Sequence, residues 1–241
     1  MSSKRYVTAI LLAAGEGQRA MDGVYAERLT PKQFLELAGE PMLLHPLRCL
    51  DSHPRIDAIV VVLPAERDRS IDEAIALPKV CSVTDGGETR QASLGAGLIC
   101  IPDETSVVIV HDAARPLLKP RQLDLVLDAL DGTFEGAICA IPVDDAIKEV
   151  SQERVLLRSL PRTGVWRAQT PQAFELRALE ESLVTADASG IISEDCSELL
   201  LRSGFRVRVV DGDPSNLKVT VPNDLALAEY LMKVRAEGRN S

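Results

Sequence analysis

The sequence predicts an α/β fold with a doubly wound, mostly parallel sheet. Three observations carry that reading. Short, nearly all-apolar runs rich in branched residues recur, helical spacing separates them, and 241 residues suit one unit of this class. The first run is Val7–Leu12, and Ala58–Leu63, residues 107–110 and residues 136–141 repeat it. None alternates apolar with polar, so each reads as a strand covered on both faces. Residues 67–75, 121–130 and 225–234 carry apolar side chains at three-to-four spacing and read as helices. The run 80–84 leads into Gly86-Gly87 and a helix of small residues. Ser193-Glu194-Asp195 ahead of residues 196–201, with Gly204 behind, reads as an N-cap, an acidic first turn and a C′ glycine. Residues 142–165 break the pattern. They are polar and charged with short extended pieces, and read as an excursion from the sheet, an arm. With no low-complexity linker and no internal repeat, residues 1–241 read as one domain.

Composition excludes several classes of function. Lys and Arg number 27 against 36 Asp and Glu, a net charge of -9, and only 3% of residues are aromatic. Nucleic acid binding needs clustered cations and stacking rings, so it is not expected. No apolar run approaches the ~20 residues of a membrane helix. Five cysteines, an odd number with no Cys-x-x-Cys pair, suit reduced thiols in the cytoplasm. Lys4 and Arg5 before an apolar run loosely imitate a signal peptide. The run ends in Gly15-Glu16-Gly17-Gln18-Arg19 rather than a small-residue cleavage site, so a first strand is the better reading.

Ligands of doubly wound sheets bind at the C-terminal strand ends, and the chemistry-bearing residues cluster there. The first strand opens into Ala13-Ala14-Gly15-Glu16-Gly17-Gln18-Arg19, where small residues let backbone N–H groups approach a phosphate. Gly15-x-Gly17-x-x-Ala20 also matches a dinucleotide fingerprint. No second strand ends in Asp or Glu some 20 residues on, so the context is wrong for NAD. Arg19 and Lys32 bracket a polar stretch able to close over a polyphosphate; a non-catalytic nucleotide sensor would not need both. Gly86-Gly87-Glu88-Thr89-Arg90-Gln91-Ala92-Ser93 suits base or phosphate recognition at a helix start, although a plain glycine turn with an N-cap fits equally. Asp112, at the end of the strongest strand, is a candidate ligand for Mg2+. His111 reads as a structural hydrogen-bonding histidine. No nucleophile–base constellation is present, and that is informative. A phosphate monoester, with a second pKa of ~6, is already ionised and needs positioning and cations rather than a base.

Six motifs then fall in order: Ala13-Ala14-Gly15-x-Gly17-x-Arg19, Pro31-Lys32-Gln33, Gly86-Gly87-x-x-Arg90-x-x-Ser93, His111-Asp112-Ala113-Ala114-Arg115-Pro116, Trp166-x-Ala168-Gln169-Thr170-Pro171-Gln172 and Asn216-x-Lys218-Val219-Thr220-x-Pro222-x-Asp224-Leu225. Together they make the chain resemble the 2-C-methyl-D-erythritol 4-phosphate cytidylyltransferase family, from about Val7 to Met232. The resemblance implies a homodimeric, Rossmann-like nucleotidyltransferase with a protruding dimerisation arm at 142–165. It would use CTP as co-substrate and Mg2+ or another divalent cation. It would convert methylerythritol phosphate to the CDP-linked alcohol and pyrophosphate. A ribitol-type pentitol 5-phosphate cytidylyltransferase is the alternative, disfavoured because its first motif usually reads Ala-Gly-Gly. By position, Arg19 and Lys32 would be catalytic. Ala13, Ala14, Gly15, Gly17, Gly87, Glu88, Arg90, Ser93, Asp112 and Ala113 would bind the nucleotide. Asp112, Arg115, Asp145, Arg162, Thr170 and Lys218 would bind the acceptor, with Asp112 also at the metal and Arg162 carried across the dimer. Three departures stand out: a longer Arg19-to-Lys32 loop, Ala20 where the family has Met, and Ala146 where it places a substrate-binding Thr.

Overall fold

A computed structural model of the chain describes residues 5–15, 31–68, 70–193 and 195–238. The side chain of Lys32 lies outside that description, as do Gly17 and Arg19 with the loop between them and Pro31. The continuous apolar runs form the middle of a seven-stranded sheet. Strands β1 (Val7–Leu12), β4 (Ala58–Leu63) and β6 (Val107–Asp112) are buried at every position, and β7 (Gly136–Pro142) over its first five. Successive side chains feed opposite faces. Ala9, Leu11, Ile59 and Val61 pack with Leu47 and Leu50 of helix α1 (Leu44–Ser52) and Leu123 and Val126 of α4 (Pro120–Asp128). Ile10, Leu12, Val60 and Val62 pack with Leu94 of α3 (Arg90–Leu98), Leu179 of α5 (Leu176–Ala188) and Leu199 of α6 (Cys196–Arg202). Each fully buried aliphatic side chain contributes about 1.5–3 kcal/mol relative to exposure.

With β5 (Val80–Asp85), β10 (Trp166–Glu175) and β11 (Val207–Asp211), the strand order is β11-β7-β10-β6-β1-β4-β5. All neighbouring pairs are parallel except those of β10, which runs antiparallel to both β6 and β7. From β1 the chain winds outward through β4 and β5, then returns to lay β6 on the other side of β1. The winding direction therefore reverses between β1 and β6, and the crevice beyond their C-terminal ends is where this architecture receives ligands.

The doubly wound, mostly parallel sheet read from the sequence is the one observed. Strands β10 and β11 were not legible as strands. The first is exposed at Trp166–Ala168, buried from Gln169 and bulged between Ala168 and Gln172, and the second is a partly exposed edge. The helix expected over 67–75 is shorter, α2 (Ser70–Ala74). The Arg67 guanidinium turns back to Pro64 O (2.9 Å), Asp72 (3.0 Å) and Asp85 (2.7 Å), which holds its residue outside the helix. The C-terminal helix, α7 (Pro222–Ala236), starts earlier than expected. Asp224 accepts from the N–H groups of Thr220 and Val221 and from the Thr220 hydroxyl, closing the first turn behind Pro222. At α6 the cap is Asp195, which accepts from Ser197 N at 2.7 Å, and Gly204 follows with φ +82. The segment 142–165 forms a hairpin of its own, β8 (Ile147–Val150) paired with β9 (Leu156–Leu160). Strands β2 (Glu36–Leu37) and β3 (Glu40–Pro41) pair below α7, where Leu37, Met42, Val219 and Ala228 form a third apolar cluster.

Candidate active site

Leu12 and Asp112 lie opposite each other at the last rung of the β1–β6 ladder, where the crevice begins. The loops that follow keep the ladders going for one more bond. Ala13 N–H donates to Val62 O (2.8 Å), Gly86 N–H to Leu63 O (2.8 Å) and Ala113 N–H to Leu12 O (2.9 Å). Ala13 and Ala113 thus lie buried as floor, while Gly15, Gly87 and Glu88 are exposed at the mouth. Gly86 makes the floor close: a Cβ there would stand 2.2 Å from Ala14 Cβ. Ser93 clasps the same turn, accepting from Gly87 N–H (3.2 Å) and donating to Gly87 O (3.3 Å). Thr89 caps α3 by accepting from Ala92 N–H. The cap points Arg90 into the crevice.

Asp112 is the electrostatic centre. One carboxylate oxygen accepts from Nε and Nη2 of Arg90, each at 3.2 Å, and the other accepts from Lys218 Nζ at 2.9 Å. Burial by itself would push its pKa up, but the charges of Arg90, Lys218 and Arg115 outweigh it and hold the carboxyl well below the usual range. The carboxylate is therefore ionised at any working pH. Arg90 is fixed on its other side, donating through Nη1 to Cys196 Sγ at 3.1 Å. Cys196 and its neighbour Asp195, which accepts from Gln172 Nε2 (3.1 Å), carried no functional signal in the sequence. Lys218 is 41% exposed at its side chain, so it can leave Asp112 for an incoming anion.

Behind Asp112 the site is closed off from the surface. Thr170 and His111 are buried, and burial lowers the His111 pKa to about 4. Thr170 Oγ1 accepts from Asp112 N–H at 3.1 Å and lies 3.0 Å from His111 Nδ1. Arg115 donates to Asn216 O (2.9 Å) and Ala168 O (3.3 Å), tying β10 to the loop that delivers Lys218. Arg162 and Asp145 are exposed at the base of the β8–β9 hairpin, where Arg162 donates to Asp144 O. The structure therefore brings together residues 13–15, 86–93, Asp112 and Lys218. Among the described residues no hydrogen bond or ion pair joins Arg162 or Asp145 to that group. Arg19, Gly17 and the Lys32 side chain lie outside the described residues.

Among the described residues no three His, Cys, Asp or Glu side chains converge on a point. A cage built by protein alone is thus absent from them. A single ionised carboxylate, completed by substrate phosphates and water, is nonetheless a donor set that Mg2+ accepts, and Asp112 fits it.

Residues 7–234 match the sequence model of the family described as IspD, 2-C-methyl-D-erythritol 4-phosphate cytidylyltransferase. The enzyme of that name from Azoarcus sp. is 41% identical over 94% of this chain and 94% of its own. Its counterpart from Syntrophus aciditrophicus is 36% identical over 98% and 99%. The crystal structure of the Thermus thermophilus 2-C-methyl-D-erythritol 4-phosphate cytidylyltransferase superposes with a TM-score of 0.77 at 29% identity, covering 95% of this chain and 100% of that one.

Proposed function

The chain belongs to the 2-C-methyl-D-erythritol 4-phosphate cytidylyltransferase family, and on that premise we propose how its own residues divide the work. The reaction transfers CMP from CTP to 2-C-methyl-D-erythritol 4-phosphate, giving 4-diphosphocytidyl-2-C-methyl-D-erythritol and pyrophosphate in isoprenoid biosynthesis. The ribitol-type alternative is not favoured: the relatives named above carry the methylerythritol name.

The acceptor phosphate, ionised at neutral pH, attacks the α-phosphorus of CTP, and the bond to the bridging oxygen breaks as pyrophosphate leaves. No proton has to be removed, so the protein positions the reactants and neutralises charge. Arg19 and Lys32 take the charge that gathers on the α-phosphate. Backbone at Ala14, Gly15 and Gly17, with Gly87 and Glu88, receives the nucleotide over a floor of Ala13, Ala113 and Ser93. Lys218 exchanges Asp112 for the acceptor phosphate and shares it with Arg162, while Asp145 faces the acceptor's hydroxyls. Arg115 and Thr170 support that half from behind. Bound Mg2+ supplies neutralisation of the triphosphate, and Asp112 is the residue that would hold it. The hairpin at 142–165 serves a homodimer, delivering Arg162 to the neighbouring site. Five free cysteines suit the reducing cytoplasm.

The observation that carries this reading is the ionised Asp112, held between Arg90 and Lys218 at the mouth of the β1–β6 crevice. Pyrophosphate release from CTP tests it, with methylerythritol phosphate or ribitol 5-phosphate as acceptor and with Mg2+ or excess chelator. Turnover should require methylerythritol phosphate and the metal, and Asp112→Asn should weaken it without unfolding the chain. Full activity in chelator would remove the metal assignment.

A further inference from the structure

The buried group behind Asp112 has only one consistent arrangement of protons. Arg115 O is a carbonyl and accepts only, so His111 Nε2, 3.1 Å away, must carry the proton of that bond. Asp112 N–H donates to Thr170 Oγ1, which uses one hydroxyl lone pair. A neutral imidazole carries one ring proton, which the Arg115 carbonyl already places on Nε2, and this side chain has no exposed surface and no carboxylate hydrogen-bonded to it. Nδ1 is therefore bare, and the 3.0 Å bond to Thr170 runs from the hydroxyl to the ring. Every donor and acceptor in the chain Asp112 N–H, Thr170 hydroxyl, His111 ring, Arg115 carbonyl is then satisfied.

We infer that His111 is a positioning residue for the transfer: by accepting the Thr170 proton it turns the Thr170 lone pair onto the Asp112 main chain and anchors the carboxylate that faces Arg90 and Lys218. The inference rests on the reading of Asp112 as the centre of the active site. It carries a consequence for Thr170 as well. With its single proton committed to His111, Thr170 acts on Asp112 from behind rather than donating to the acceptor phosphate. The imidazole also holds the Arg115 carbonyl, the next turn of the same loop. One ring thus fixes both ends of residues 111–115.

Two measurements test this. Long-range proton–nitrogen correlation spectra of the wild-type chain should show His111 with a protonated Nε2 and a bare Nδ1; a protonated Nδ1 overturns the inference, whether or not the chain turns over methylerythritol phosphate. The second measurement is steady-state kinetics on side-chain replacements. His111→Asn puts a carbonyl oxygen where Nδ1 was and keeps an acceptor for Thr170. His111→Gln reaches the Nε2 position and leaves Thr170 without one. His111→Gln and Thr170→Val should lower kcat at least tenfold with KM for CTP within about threefold, and His111→Asn should recover most of that loss. Equal loss in the Asn and Gln variants, or loss that follows Tm alone, sinks the positioning role. A variant that does not fold leaves the spectral result to decide.

Discussion

Asp112 meets two cations on one side and, through Thr170, a buried imidazole on the other. The imidazole sets a pH dependence. With its pKa lowered to about 4 by burial, against ~6.5 in the unfolded chain, His111 resists protonation only while folded. Its contribution to stability is complete above about pH 6.5 and is lost as pH falls toward 4. Between pH 7 and 5 that loss is about 2 kcal/mol, and a chain of this size should melt roughly 4–8 °C lower. His53, lowered by burial as well, acts in the same direction. Scanning calorimetry at the two pH values checks this, and His111→Asn should lose most of the slope; an unchanged slope assigns the effect elsewhere. The cations assigned to the α-phosphate, Arg19 and Lys32, make a kinetic prediction, clearest at Lys32. Pro31 fixes φ just before it and stiffens that end of the loop. Removing one preplaced donor to transition-state charge typically costs ~10²–10³ in rate, so Lys32→Ala should lower kcat by that factor with a smaller change in CTP affinity. A kcat within about threefold of wild type, at unchanged Tm, would retire Lys32 as a catalytic residue. Both side-chain types were legible in the sequence. Their directions were not, because Asp112 meets Thr170 across 58 positions and Lys218 across 106.

At the scale of elements, α3 and the turn before it show how little room the crevice floor has. Gly86 packs under Ala14, whereas Gly95, on the same helix, has nothing within 4 Å of an added Cβ. Gly86→Ala should therefore cost about 1–3 kcal/mol through overpacking and weaken CTP-dependent thermal stabilisation. Gly95→Ala should raise stability by about 0.4–1 kcal/mol, since it removes backbone freedom from the unfolded chain at no steric cost. Equal effects of the two substitutions would show that helix propensity, not the approach of the two loops, governs this turn. The covered strands β1, β4, β6 and β7 and the amphipathic helix α4 were readable, and so was α7 as a helix, although Ala228 is its one buried residue. Strand β10 was hidden because its outer third is exposed and its buried part contains Gln169, Thr170 and Gln172, whose polar groups bond to neighbouring loops and to β6.

At the scale of the whole molecule, the β8–β9 hairpin leaves Val150, Val155, Leu156 and Leu157 between 53% and 60% exposed on a unit that shares no strand with the main sheet. Contiguous exposed apolar side chains on a small sheet call for a covering surface. If a second copy supplies it and receives Arg162, an inactive Arg162→Ala chain mixed with an inactive Lys32→Ala chain should regain part of the activity, since one site per mixed dimer is intact. Demonstrated subunit exchange without any return of activity would place Arg162 in its own subunit's site. By itself, the sequence determined the α/β class, the central strands and the kinds of groups that gather at their C-terminal ends, because local periodicity and side-chain chemistry are written residue by residue. Only the tertiary structure decided which of those groups line the crevice and which brace it from behind. That distinction depends on hydrogen bonds between strands far apart in the chain: Ala113 on Leu12, Thr170 on Asp112, Arg115 on Asn216. No local pattern encodes such pairings, since each partner's own surroundings look the same whether or not the other arrives.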